Sequence, residues 1–282
     1  MISFGEDKYK PSLKEMWKLC FRDEDAFIDY YFDEVYKNEE TLVYLENGKP
    51  VASFQMIPYF LKNGTEIFPA GYIYGAMTHP DFQRKGFMTE LLFTSFYLMR
   101  ERGFDYTFLI PQEKWLLDFY EEFEYKALEP VCNKTVRHCE DEVRSNLVKI
   151  NNPDSYEMTD IAAAYEVFLY FLSKIPQVVL ITKKQFEQIL CDFFDDNGVL
   201  FVNEQGIAFT FRTGNQITIK EFFYKGQTVK DLFLKAIRDY YALEEIVILS
   251  SSDKLTGAKG MIKRLNNDKP EISTLYISMM MD

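Results

Sequence analysis

The sequence predicts an α+β fold built as two consecutive copies of one plan. Three observations carry that reading. The order helix, helix, hairpin, strand, helix, strand occurs twice, with a period of about 140 residues. Asn47-Gly48 and Asn63-Gly64 stand between apolar runs, the signal for tight antiparallel hairpins. Segments 71–78, 89–102 and 105–110 read as strand, helix and strand, and a helix between two strands of one sheet makes those strands parallel. Each copy is therefore expected to be a mixed, mainly antiparallel sheet flanked by helices, with domains at 1–140 and 150–282. The polar stretch 140–154, broken by Asn151-Asn152-Pro153, is the expected linker.

The elements follow in order. Residues 2–4 form a short first strand. Pro11 suits the first turn of a helix with Leu13, Met16, Trp17 and Cys20 on one stripe. A second helix, 25–36, buries Phe27, Ile28, Tyr31, Phe32 and Val35. Segments 41–46 and 51–57 pair across Asn47-Gly48; 59–61 and 66–68 pair across Asn63-Gly64. The helix 89–102 carries Leu91, Leu92, Ser95, Phe96 and Met99 at helical spacing, and Gly103 ends it. After strand 105–110 comes a helix with Phe119-Tyr120, then a closing antiparallel pair, 123–128 and 131–136. In the second copy, 160–173 and 183–194 are helices, 199–202 and 207–211 a hairpin, and 216–223 a strand. Helix 229–241, a buried strand 246–250 and an apolar strand 275–280 complete it.

Composition narrows the function. With 47% hydrophobic residues, a chain of 282 residues can bury a large core, and disorder is not expected. Net charge is −12, and both halves are acidic: 1–140 holds 16 Lys+Arg against 24 Asp+Glu, the remainder 16 against 20. Nucleic acid needs a basic face, so the charge argues against it as a partner, and none is expected. An acidic surface suits a cationic small molecule or a peptide amine, although solubility alone also accounts for it. The first residues resemble no signal peptide, and the apolar segment 167–182 is broken by Lys174 and Pro176 and is short for a bilayer. Four scattered cysteines make no disulfide scaffold. A cytoplasmic protein without a membrane partner is expected; oligomerisation is left open.

The chemistry concentrates between the strand ending at Thr78 and the helix that follows. Gln83-Arg84-Lys85-Gly86-Phe87-Met88 opens a helix, where successive backbone N–H groups and the helix dipole attract an anion. Gly86 removes a side chain where a pyrophosphate must approach, while Arg84 and Lys85 supply counter-charge. Six such residues alone could be a solvated turn; the flanking strand, helix and return strand favour a phosphorylated cofactor. The second copy has Lys225-Gly226-Gln227-Thr228-Val229-Lys230 at this place, without the basic run, and is expected to be scaffold.

These residues carry a family resemblance. Gln83 to Met88 resembles motif A of the GCN5-related N-acetyltransferases (GNAT), Gln/Arg-x-x-Gly-x-Gly/Ala, and Tyr120-Glu121-Glu122-Phe123-Glu124-Tyr125 is similar to the Tyr-x-x-x-Gly-Phe/Tyr end of their motif B. Met88 and Glu124 depart from the small residue and the glycine of those motifs. The duplicated plan, with the ending 260–264 and 276–278, resembles the tandem acetyltransferases of the enhanced-intracellular-survival type, without their sterol-carrier-like domain.

The resemblance implies acetyl-CoA in the N-terminal copy and direct acetyl transfer to an amine. Met77 and Thr78 would pair with its pantetheine arm like another strand, and Gln83, Arg84, Lys85, Gly86, Phe87, Met88 and Thr89 would hold its pyrophosphate. Tyr120 would be the acid for the leaving thiolate. Segment 71–80 has no carboxylate to serve as base, so the family's alternative, the terminal carboxylate at Asp282, takes that role. His79, just before Pro80, fits a structural role better. The first two helices would bind the acceptor: residues 21–40 hold eight acids against two bases, interleaved with aromatics, and Asp25, Phe27, Tyr30 and Tyr31 are the candidates. A solvated acidic helix face explains the same letters. Cys132, His138 and Cys139 make poor zinc spacing, so no metal is expected. Two other classes remain as alternatives: a non-catalytic acyl-CoA-binding or interaction protein, and a tRNA-dependent aminoacyl transferase of Fem type, which the acidic charge disfavours.

Overall fold

The computed structural model describes residues 1–129, 148–152, 158–243, 245–249, 260–278 and 280. The chain begins with β1 (Ile2–Phe4), α1 (Lys10–Phe21), α2 (Asp25–Tyr30), β2 (Thr41–Glu46), β3 (Lys49–Asn63) and β4 (Glu66–Thr78). It continues with α3 (Phe87–Glu101), β5 (Tyr106–Leu109), α4 (Trp115–Glu121) and β6 (Lys126–Ala127). Then come β7 (Lys149–Asn151), α5 (Met158–Lys174), β8 (Gln177–Leu180), α6 (Lys183–Asp195), β9 (Val199–Asn203) and β10 (Gly206–Thr213). The last elements are β11 (Gln216–Tyr224), α7 (Gly226–Tyr241), β12 (Ile246–Ile248) and β13 (Met261–Arg264).

Two compact units result. The first comprises Met1–Leu61, Ile67–Leu128 and Gly260–Ser273; the second takes Lys62–Glu66, Glu129–Lys259 and Thr274–Asp282. In the first, α1 starts with a proline in its first turn and buries Leu13, Met16 and Trp17. Helix α2 continues as a wider π-helical turn, Tyr31–Val35, so its apolar face shifts to bury Tyr31, Phe32 and Val35. Asn47 and Gly48, with φ of +51° and +77°, make the two-residue turn between β2 and β3. The second hairpin differs from expectation: Asn63 stays in β3, and its side chain accepts a hydrogen bond from Gln177 at 3.0 Å, so the turn falls one residue later.

Strand order in the first sheet is β1-β2-β3-β4-β5-β13-β6. The β4–α3–β5 unit is parallel as expected, with Ala70, Gly71 and Tyr72 opposite Tyr106, Thr107 and Phe108. Between β5 and β6, however, lies β13, antiparallel to both. Strand 123–128 was expected to close on 131–136, and 260–264 to end the second copy; instead only 126–127 is strand before the described residues stop, and its ladder partner is β13. Segment 131–136 lies outside the described residues. Leu42, Phe54, Ile73, Leu91, Leu92, Phe96, Met99, Leu109, Tyr120 and Met261 pack as one core on this sheet.

In the second unit the sheet order is β12-β11-β10-β9-β7, and β11–α7–β12 again makes a parallel pair. The element order thus repeats that of β1 to β5. Strand β12 is less buried than expected: it is the edge strand, and Ile248 is 37% exposed. Among the described residues of the apolar tail 275–280, Tyr276 forms an isolated bridge with Val178 in place of a strand. The tail is anchored by the Tyr276 and Ser278 hydroxyls, which donate to the buried carboxylate of Glu221.

Candidate active site

The site grows from the far end of β4. The β4–β5 ladder stops at Tyr72 and Phe108, yet β4 runs on to Thr78. Gly75, at φ +60°, bends the strand past that point, and the Trp17 ring lies 2.6 Å from where a Cβ would stand. Glycine is required twice there, for backbone and for space. The last residues of β4, Met77 and Thr78, therefore lie beyond the pairing with β5. The Thr78 carbonyl accepts from the Gln83 amide at 3.3 Å and the Cys20 thiol at 3.5 Å.

Segment 79–86 then turns into α3. His79 donates its backbone N–H to Val51 and accepts the Asp81 N–H on Nδ1 at 3.2 Å, which is the structural role expected of it. Arg84 (φ +61°) and Gly86 (φ +82°, ψ 3°) both sit in the left-handed region, so the chain doubles back before entering the helix. The first helical bond runs from Glu90 N–H to the Gly86 carbonyl, leaving the preceding amides of the turn without intrahelical acceptors. A Cβ on Gly86 would meet nothing within 4 Å. That open space, above the N-terminus of a helix spanning Phe87–Glu101, fits a diphosphate group. The Lys85 ammonium rests 4.5 Å over the Phe82 ring, within a flexible side chain's reach of the turn. Phe87 stacks on Tyr44 with centroids 4.4 Å apart, and Met88 packs against the core, so its bulk is absorbed inward; Thr89 is half-buried in the first turn.

The second unit has a shorter connection here, although Gly226 is likewise left-handed at φ +76°, with nothing within 4 Å of its Cβ position. Strand β11 ends at Tyr224 and α7 begins at Gly226, with Lys225 alone between them.

Tyr120 is 6% exposed on α4 and shares the core with Ile73 of β4, Leu91 of α3 and Leu109 of β5. Burial pushes its phenol up to about 12, which keeps the proton on the oxygen at neutral pH. Glu124 explains how the turn after Tyr120 survives without the motif's glycine. Its φ is +64°, Tyr125 N–H bonds the Tyr120 carbonyl and Glu124 N–H bonds the Glu121 carbonyl, a Schellman-type helix end. A non-glycine residue in that conformation costs about 1–2 kcal/mol. The Lys263 ammonium, from β13, reaches the Glu124 carboxylate at 2.5 Å.

The acceptor candidates separate. Asp25 is exposed and paired with Lys18 at 2.5 Å. Phe27 and Tyr30 are half-buried. Tyr31 is fully buried, ringed by Trp17, Phe27, Phe32 and Tyr74 at centroid distances of 4.7–6.1 Å. Its hydroxyl is buried beside the Gln55 side chain, and burial raises its pKa far above the usual phenol. Trp17 and Tyr74 thus join a cluster that sequence spacing assigned to the second helix alone. Asp282, and the Cys132, His138 and Cys139 group, lie outside the described residues. Among the described residues no group of three or more His, Cys, Asp or Glu side chains could hold a metal, and no helix is long and apolar enough to cross a membrane.

Residues 2–128 match the family model described as acetyltransferase (GNAT) domain. Among solved structures, the chain is similar to a GCN5-related N-acetyltransferase from Anabaena variabilis, with a TM-score of 0.70 at 12% identity, covering 94% of this chain and 73% of that one. A GCN5-related N-acetyltransferase from Kribbella flavida gives a TM-score of 0.70 at 12% identity, covering 94% and 70%. Eis1 from Mycobacterium abscessus gives 0.67 at 12% identity, covering 94% and 74%. At such identities the likeness is one of fold. No protein of curated function matches the sequence.

Proposed function

We propose that this chain, a member of the GNAT acetyltransferases through its first domain, moves an acetyl group from acetyl-CoA to a primary amine of a small molecule or peptide, at one site per chain. The observation that carries the reading is the left-handed turn at Gly86, open above the first turn of α3 and preceded by Arg84 and Lys85, where the left-handed Gly226 of the second unit follows its strand after Lys225 alone. Amides from Arg84 to Thr89 receive the pyrophosphate, with Arg84 and Lys85 as counter-charge. The backbone of Met77 and Thr78, beyond the β5 ladder, pairs with the pantetheine arm, and Gln83 holds the Thr78 carbonyl in place.

Transfer forms a C–N bond and breaks the thioester C–S bond. The attacking amine must first be neutral, and the resemblance gives that proton to the Asp282 carboxylate. A backbone N–H near Thr78 stabilises the oxyanion, and Tyr120 donates its phenolic proton to the departing thiolate. Asp25, Phe27 and Tyr30 meet the acceptor, with Tyr31 behind Phe27 as a rigid wall.

Thiol release from acetyl-CoA, measured with a panel of polyamines, aminoglycosides and peptides, tests this. Amine-dependent release that is lost on deleting Asp282 supports both the transfer and the base. Release unchanged by the deletion discards Asp282, and no release with any amine leaves an acyl-CoA-binding protein in place of an enzyme.

A further inference from the structure

We infer that Lys263, contributed by the late strand β13, is a positioning residue for Tyr120; the inference rests on the acetyltransferase reading. Three contacts make the connection. The Lys263 side chain is 9% exposed, and its ammonium lies 2.5 Å from the Glu124 carboxylate and 5.0 Å over the Phe96 ring. Glu124 is the left-handed residue that closes α4, and the bonds of that closure, Tyr125 N–H to Tyr120 carbonyl and Glu124 N–H to Glu121 carbonyl, fix the helix end carrying Tyr120. Phe96 in turn faces Tyr125, whose ring lies 5.7 Å from Tyr120 and whose hydroxyl is tied to Thr107 on β5 at 3.1 Å.

The physical logic is compensation. A glycine takes φ +64° freely; a glutamate does so against a steric penalty. The carboxylate itself is largely exposed, and an exposed ion pair contributes little. Here, though, the partner ammonium is buried, and without Glu124 it would lose its counter-charge in an apolar setting. The buried cation therefore needs Glu124 where it stands, and the ion pair offsets the strain of the left-handed turn. Because β13 comes from the far end of the chain, the place of the proposed acid depends on a residue that the first half does not encode.

The full-length protein tests this through four chains: wild type, Lys263→Met, Lys263→Arg and Lys263→Met with Glu124→Gly. Methionine keeps the apolar stem and removes the charge, so the thermal midpoint should hold while kcat falls about tenfold. The KM for acetyl-CoA should stay within about twofold, because the Gly86 turn is untouched. Arginine should recover most of the rate. Adding Glu124→Gly to Lys263→Met should also recover it, since glycine holds the turn without a partner. A double variant as slow as Lys263→Met, or a Lys263→Met chain with unchanged kcat, overturns the inference. If Lys263→Met does not fold, Glu124→Ala against Glu124→Gly decides: alanine slower supports positioning, and equal rates overturn it. If wild type releases no thiol with any amine, the acetyltransferase reading has failed separately. The Tyr120 ring resonance then reports the inference, expected to move in Lys263→Met and return in the double variant; an unmoved resonance overturns it.

Discussion

Tyr120→Phe is expected to lower kcat by about a hundredfold, the lower range for loss of a positioned acid, while the acetyl-CoA dissociation constant stays within about twofold. The substitution removes one oxygen from a ring that otherwise stays packed against Tyr125 and Phe119. An effect on transfer without an effect on binding marks a group used only in the transition state. The pH dependence carries a second signature. Burial raises the Tyr120 phenol from its ordinary value of 10.0 to about 12, so the group remains protonated as pH climbs through the range where an amine acceptor becomes neutral. Wild-type turnover should therefore rise with pH and show no alkaline limb from this group before about pH 11. Stability runs the other way: the folded state keeps the proton that the unfolded chain gives up near pH 10, so Tyr120's contribution is full below that pH and is lost as pH rises toward about 12. Equal losses in binding and turnover in Tyr120→Phe would remove it from the chemistry.

A fragment ending at residue 140 is expected not to fold. Without β13, Leu109, Phe108, Thr107 and Tyr106 of β5 lose their ladder partners on the side away from β4, and Lys126 and Ala127 of β6 lose theirs. The core also loses Met261, which is fully buried, and Ile262, which is nearly so. Removing either side chain from such a site costs about 2–5 kcal/mol, against a total stability of about 5–15 kcal/mol for a domain. Two unpaired strand edges add a route to aggregation. Circular dichroism of the fragment should show no cooperative thermal transition. A cooperative melt that shifts upward with acetyl-CoA would mean that the first half needs no late strand.

How much the sequence discloses follows from how local each signal is. The Asn47-Gly48 turn, the βαβ order and the Gly86 loop are written in adjacent residues whose conformational needs are specific, and the structure has them where the letters put them. Segments 51–57 and 59–61 were expected as separate strands, yet β3 runs unbroken through Pro58: the β2 ladder on β3 ends at Gln55, so no N–H is owed to β2 there. The insertion of β13 could not be read at all: nothing in the letters near Met261 says which of two similar sheets its apolar residues will join. The same holds for Lys263, a cation next to Met261 and Ile262 whose meaning depends on Glu124, far away in the chain. Tyr31 shows the converse. An aromatic beside acids suggested a pocket wall, yet Trp17 and Tyr74, from two other elements, close around it.

One titration tests the central claim, that a single acetyl-CoA is held on the turn at Gly86. Calorimetry of the full chain should give one acetyl-CoA bound per chain. Gly86→Ala has open space for its methyl group but must hold φ +82°, so the strain of about 1–2 kcal/mol should weaken binding roughly tenfold while one site remains. Two molecules bound per chain, or an affinity indifferent to Gly86→Ala, would contradict it.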